Sequence, residues 1–135
     1  MTFTVTPIGH VRSPLADPAA APRQPDEGAP PATLEIDDAY LAGLGGVDVG
    51  TDLLVLTWLH QGSRDVLTTR PRNDPDRAEQ GVFSTRSPDR PNPIGLHRVR
   101  ILAIDGARFR VADLEALDGT PVVDVKPVLD RVLDK

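Results

Sequence analysis

The chain has 135 residues, 39% hydrophobic and 26% charged, with a formal net charge of −5 and no cysteine. That length suits one domain with a real core, residues 1–135, and the acidic balance argues against indiscriminate coating of nucleic acid. Without cysteine there are no disulfides, no thiolate nucleophile and no Cys-ligated metal; with no bilayer-length apolar run and no signal-peptide pattern, the expected compartment is the cytoplasm and no membrane is expected as a partner.

Short apolar runs separated by prolines and glycines read as strands and turns rather than helices. In chain order the expected strands are "FTVTPIGHV" (3–11), "LLVLTWLH" (53–60), "GVFST" (81–85), "LHRVRILAI" (96–104), "RFRVADLEAL" (108–117) and "PVVDVKP" (121–127). Between the first two lies the proline-rich segment 12–33, whose composition fits either a disordered excursion or a long loop closing over a pocket. "DDAYLAGLGG" (37–46) is the plausible helix, with Asp37 or Asp38 as cap and glycines at its end. In 96–104, His97, Val99, Ile101 and Ala103 share one face, and Leu96, Arg98, Arg100 and Leu102 the other. "AIDGARF" supplies an Asp-Gly hairpin turn between the next two strands. The predicted fold is all-β, a mainly antiparallel sheet or small barrel with at most one or two short helices.

Charge is distributed unevenly. From Arg64 to Arg100 there are eight arginines against five acids, whereas the remainder carries seven cations against fifteen acids. Thirteen of the fifteen cations are Arg, which favours bidentate contacts to carboxylate or phosphate over diffuse attraction. Within this arginine-rich region, "TRSPDRPNPIGLHRV" (85–99) places three prolines in six residues. Each fixes its own φ and biases its predecessor (Ser87, Arg90, Asn92) towards extended geometry, so the loop should be stiff. Phosphate-cradling, dinucleotide-binding and nucleophile-elbow motifs are missing from the sequence. The three histidines, at 10, 60 and 97, have no metal-ligand spacing, and no metal is expected. The remaining polar residues collect at strand ends: His60 and Gln61 after "TWL", and Glu115, Asp118, Asp124 and Lys126 around "LEALDGTPVVDVKP". Singly, each fits ordinary turn chemistry or a surface ion pair.

Together these elements resemble the TrmO family, also called TsaA-like or YaeB-like. The matching stretches are "PIGHVRSP" (7–14), "PRQP" (22–25), "WLHQ" (58–61), "GVFSTRSPDRPNPIGL" (81–96) and "LDGTPVVDVKP" (117–127), in family order. The resemblance implies a small β-barrel, usually homodimeric, that uses S-adenosylmethionine to methylate the exocyclic nitrogen of threonylcarbamoyladenosine beside the anticodon of tRNA. By matched motif it places the cofactor pocket at Arg23, Gln24, Pro25, His60, Gln61, Arg86, Leu96 and the run Ala112, Asp113, Leu114, Glu115. Within that pocket, Arg86 is expected to meet the methionine carboxylate, Glu115 the ribose hydroxyls and Leu96 the adenine. No general base is compelling; if one is used, Asp118 or Asp124 is the choice. Arg90, Asn92 and Lys126 either touch substrate or fix the loop. The chain departs from the family pattern at Val128, where an aromatic is usual, at His97, where Ser is common, and in stopping at Lys135 without the C-terminal extension of long bacterial members. These departures leave open a small-molecule acceptor, or a non-catalytic S-adenosylmethionine-binding module.

Overall fold

The computed structural model describes residues 1–15, 30–70 and 74–129. Six strands form a closed antiparallel barrel in the order β1 (Gly9–Arg12), β2 (Ala32–Ile36), β7 (Arg108–Ala112), β6 (Ile94–Asp105), β3 (Asp52–Trp58) and β8 (Pro121–Pro127), with β8 returning to β1. Two short strands, β4 (Thr68–Thr69) and β5 (Gln80–Gly81), pair separately. The predicted all-β barrel is therefore the observed architecture.

Alternation builds the wall. Leu34 and Ile36 of β2, Leu53 and Val55 of β3, Val99 and Ile101 of β6, Phe109 and Val111 of β7 and Val122 of β8 all point inward and are buried. Each fully buried Val or Leu is worth about 1.5–3 kcal/mol of transfer free energy, part of which ordering entropy offsets. The even and odd faces expected for 96–104 hold through Ile101: His97, Val99 and Ile101 are inside, Leu96, Arg98 and Arg100 outside. The β6–β7 hairpin turns at Gly106, whose φ of 59° with no positive φ at Ala107 is the type II′ pattern that suits strand twist.

Several expected boundaries move. Only Gly9–Arg12 of 3–11 is strand, because Phe3 and Val5 are exposed with no neighbouring strand to cover them. Segment 81–85 becomes a 3-10 turn over Val82–Ser84, its carbonyls taken by turn bonds and by Arg90. The strand predicted for 108–117 stops at Ala112, since Asp113 takes a left-handed φ of 69°. Strand β2 lies behind the proline-rich segment and was not expected. The helix expected at 37–46 is a 3-10 helix, Asp38–Leu44, which buries no residue. Asp37 precedes it in extended geometry without a side-chain capping bond, and with Leu44 packed against the core but Tyr40 and Leu41 exposed, little burial selects the α form.

On the outer wall, Asp52 accepts from Arg98 Nε at 3.0 Å and Arg100 Nε at 3.1 Å. The hydrogen bond from Arg98 holds the Asp52 carboxyl below its ordinary range; burial opposes it, and the hydrogen bond from Arg100 and the charges of both arginines add to the lowering. A depressed folded pKa stabilises above the unfolded value and is lost as pH falls through the folded one. Asp52→Asn is thus expected to cost under about 1 kcal/mol near neutrality, since both arginines are solvated. In urea titrations the gap from wild type should close as pH drops below the carboxylate range; a gap of constant size would contradict this account.

Candidate functional site

Antiparallel order determines which segments meet. The C-terminal ends of β1, β3 and β7 and the N-terminal ends of β2, β6 and β8 lie at the same end of the barrel. The connections leaving that end contain "RSP", "HQGSRD", "TRSPDRPNP" and "DLEALDGT". They carry His60, Gln61, Arg86, Arg90, Asn92, Asp113, Leu114, Glu115 and Asp118 of the residues singled out from the sequence. The opposite end holds a shallow acidic groove lined by Glu35, Asp37, Asp38, Asp105 and Arg108.

The proline-rich loop is laced to the segment that follows β3. Leu59 N donates to Pro93 O at 2.7 Å, Arg90 N to Ser63 O at 2.9 Å, and Ser63 N to Asp89 Oδ1 at 2.8 Å. Arg64 donates from Nε to Pro91 O at 2.8 Å and from Nη2 to Asn92 Oδ1 at 3.0 Å, while its guanidinium covers the Trp58 ring at 5.4 Å. Gly62 makes the close approach possible: a Cβ there would stand 2.3 Å from Pro88 O. Beside this seam, the Ser63 hydroxyl holds the Asp65 carboxyl below its ordinary value, helped by the Asp65 backbone.

Within the loop, Arg90 donates from Nη1 to Thr85 O at 2.9 Å and Ser87 O at 3.2 Å, and from Nη2 to Val82 O at 3.0 Å. Its guanidinium also lies 5.9 Å from the Phe83 ring. Of the two roles open for Arg90 and Asn92, both side chains are engaged in bracing the loop. Arg86 is exposed, with Nη1 donating to Leu96 O at 3.2 Å. Leu96 itself points outward and is 40% exposed. His60 and Gln61 are exposed at the end of β3. Arg23, Gln24 and Pro25 lie outside the described residues.

Beyond β7, the left-handed turn at Asp113 redirects the chain. Asp113 stays exposed, Leu114 enters the core at 0% exposure, and Glu115 reaches the barrel interior. Ala112, just before the turn, is half-buried. Inside, Glu115 Oε1 lies 2.7 Å from His97 Nδ1, and His97 Nε2 lies 2.7 Å from Thr57 Oγ1. An ionised carboxylate only accepts, so Nδ1 carries the proton and donates to Glu115. In neutral His97, Nε2 then accepts the Thr57 hydroxyl hydrogen. Thr57 and His97 are buried, and Glu115 Oε2, also buried, has no hydrogen-bond partner among the described residues. A polar chain like this is costly unless each member is satisfied, and Oε2 is the atom left over.

Gly95, the glycine of "RPNPIGL", makes room for that chain. A Cβ there would sit 2.4 Å from Thr57 Oγ1, 2.7 Å from His97 Nε2 and 3.2 Å from Leu59 Cδ2. Thr57, Gly95 and Arg64 are not singled out by the sequence, and His97 is not among the residues placed in the pocket. The signal for His97 is the face it shares with Val99 and Ile101, which the structure shows to be the inner one; Arg64 has no signal beyond its place in an arginine-rich region.

The other candidates are occupied locally. Asp118 Oδ1 accepts from Ser13 N at 3.0 Å, tying the "DGT" turn to the end of β1. Asp124 accepts from Val125 N at 2.9 Å and from Lys126 Nζ at 3.3 Å. Asp124 lies opposite Leu56 and Lys126 opposite Leu54, part-way along the wall rather than at the loop-bearing end. Among the described residues no group of three or more Asp, Glu or His is placed to hold a metal, and no helix is long and apolar enough to cross a membrane.

This architecture recurs in known proteins. Residues 10–134 match the family described as the tRNA-methyltransferase O N-terminal domain. The chain is 40% identical over 132 residues to a probable S-adenosyl-L-methionine-binding protein of Methanothermobacter thermautotrophicus, covering 98% of this chain and 94% of that relative. It is 43% identical over 129 residues to an S-adenosyl-L-methionine-binding protein of Archaeoglobus fulgidus, covering 93% and 91% respectively. A crystal structure of TrmO from Pseudomonas aeruginosa matches with a TM-score of 0.77 at 34% identity, over 100% of this chain and 61% of that one. The chain thus spans less than two thirds of the TrmO structure it matches. Over its whole length the chain shares the all-β fold of that TrmO structure. The chain belongs to the TrmO family, matching its N-terminal domain.

Proposed function

We propose that the chain, acting as a single barrel domain, is an S-adenosylmethionine-dependent methyltransferase, and that its acceptor is threonylcarbamoyladenosine beside the anticodon of tRNA. The observation that carries the donor half is Oε2 of Glu115, without a partner among the described residues and buried beneath the same barrel end that presents His60, Gln61 and Arg86. A buried carboxylate oxygen without a donor is the acceptor a nucleoside hydroxyl would satisfy. Both the described relatives and the matched motif, which also includes Arg23, Gln24 and Pro25, support the same ligand.

S-adenosylmethionine, when bound, supplies an electrophilic methyl group on a sulfonium. The residues here bind and orient. Arg86, steadied by Leu96 O, offers the rest of its fork to the methionine carboxylate. Glu115 receives the ribose, while Ala112, Asp113 and Leu114 supply backbone and wall. The braced loop lowers the ordering cost of binding because its geometry exists beforehand. No protein base is assigned: Asp118 is engaged by Ser13 and Asp124 by Lys126, and the reaction then rests on alignment and exclusion of water. We place the protein in the cytoplasm with its tRNA. A homodimer is part of the reading, supported by the apolar outer pairs Leu56–Leu96 and Trp58–Ile94, of which Ile94 is 45% exposed.

Calorimetric titration tests the donor. Wild type should bind S-adenosylmethionine and its demethylated product, and Arg86→Ala should weaken donor binding by about 10–100-fold, the worth of a charge-assisted pair. Equal affinity in both proteins would remove Arg86 from this role. Incubation of labelled donor with tRNA and with small-metabolite fractions then tests the acceptor. The net charge of −5 favours a second reading, a small-molecule acceptor, which label in the metabolite fraction would support. Binding without turnover on either would leave a non-catalytic module.

A further inference from the structure

The donor reading uses Glu115 but leaves His97 unexplained. This imidazole is 4% exposed in a mainly apolar interior, where a packed Val or Leu would stabilise the barrel without needing polar partners. Glu115 follows the left-handed turn at Asp113 and begins no strand, so its backbone alone does little to fix the carboxylate. His97 does fix it. The 2.7 Å bond from Nδ1 holds Oε1, and with Oε1 held the position of Oε2 follows.

We propose that His97 is a positioning residue of the donor site, pinning Glu115 so that Oε2 accepts a ribose hydroxyl of the bound nucleoside; this rests on the donor reading above. Thr57 completes the device. By donating to Nε2 it keeps the proton on Nδ1, the tautomer that can hold a carboxylate. Gly95 leaves the space in which the two side chains meet. A neutral hydroxyl fits Oε2 better than an ammonium, because that oxygen is buried and a cation would surrender far more hydration to reach it. Charged groups on the surrounding strands do not compete: Asp52 on β3, Arg98 and Arg100 on β6 and Lys126 with Asp124 on β8 all pair on the outer wall.

Two substitutions separate positioning from filling. His97→Asn keeps an N–H donor near the Nδ1 position, whereas His97→Gln places its amide near Nε2 and gives up the bond to Glu115. Affinities for S-adenosylmethionine, adenosine and 2′,3′-dideoxyadenosine are measured for wild type and both variants. Wild type should prefer adenosine over the dideoxy nucleoside by about tenfold or more, as a hydrogen bond to a charged group implies. His97→Gln should lose that preference while still binding the dideoxy nucleoside as wild type does, and His97→Asn should restore it. If wild type binds the donor but His97→Gln keeps the preference, the positioning role is overturned and the donor reading survives. If wild type binds neither donor nor adenosine, both fall. Nitrogen chemical shifts of His97 in ligand-free wild type provide a measurement that needs no variant to fold: a proton on Nδ1 supports the assignment, and a proton on Nε2 alone overturns it.

Discussion

Gly95→Ala is expected to lower the melting temperature by about 10 °C, corresponding to about 3 kcal/mol for a domain of this size. The backbone tolerates alanine there, since Gly95 has no positive φ; the conflict is one of space. The new methyl carbon would stand 2.4 Å from Thr57 Oγ1 and 2.7 Å from His97 Nε2. Neither atom is the free end of a flexible chain. Thr57 is branched and fully buried, and His97 is held at its other nitrogen by Glu115. Overpacking costs about 1–3 kcal/mol, and separating Thr57 from His97 adds the penalty of a buried unsatisfied polar group, about 1–3 kcal/mol more. Thermal denaturation checks the sum. A melting temperature within about 2 °C of wild type, or under about 1 kcal/mol, would mean that the interior relaxes freely, contrary to the packing described.

The second large effect is functional. Gly62→Ala should weaken S-adenosylmethionine binding by about tenfold or more while costing less stability than Gly95→Ala, because the contact lies outside the core. A Cβ at 62 would meet Pro88 O at 2.3 Å and Leu59 O at 3.1 Å, both backbone atoms that cannot rotate aside. The segment 60–65 would have to withdraw from the proline-rich loop, straining the Ser63–Asp89, Arg90–Ser63 and Arg64–Pro91 bonds together. The loop would then be ordered only on binding, and each tenfold loss corresponds to about 1.4 kcal/mol of that cost. Titration of the variant, with amide exchange across residues 85–93 as a control, tests the claim. Unchanged affinity alongside faster exchange would show that the loop's rigidity is irrelevant to the ligand.

What could be read from the sequence follows from the range of the forces involved. "PVVDVKP" is strand over its full predicted length, Pro121–Pro127, and the Asp-Gly hairpin lies where its turn chemistry put it, because both signals are local. The alternation in 96–104 set His97 inward. Missed features were those decided by distant partners: β2, which becomes a strand by pairing with both β1 and β7, and the short 3-10 segment at Val82–Ser84, whose Val82 carbonyl is claimed by Arg90. At the site, prolines announced a stiff loop, but nothing in the string shows that "HQGSRD" is what it is laced to. Likewise, Glu115 by itself reads as ordinary strand-end chemistry and enters the pocket through family resemblance, whereas the orphaned Oε2 that gives it a physical claim depends on contacts with His97 across 18 residues of chain.

The attachment of the "DGT" turn to the end of β1 has a mechanical consequence. Ser13 and Leu15 are bonded to Asp118, and Val11 exchanges bonds with Gly119 and Thr120. These two stretches are therefore moored to each other at the loop-bearing end of the barrel, so a substitution that frees the Asp118 carboxylate is expected to loosen the end of β1 as well as the turn itself.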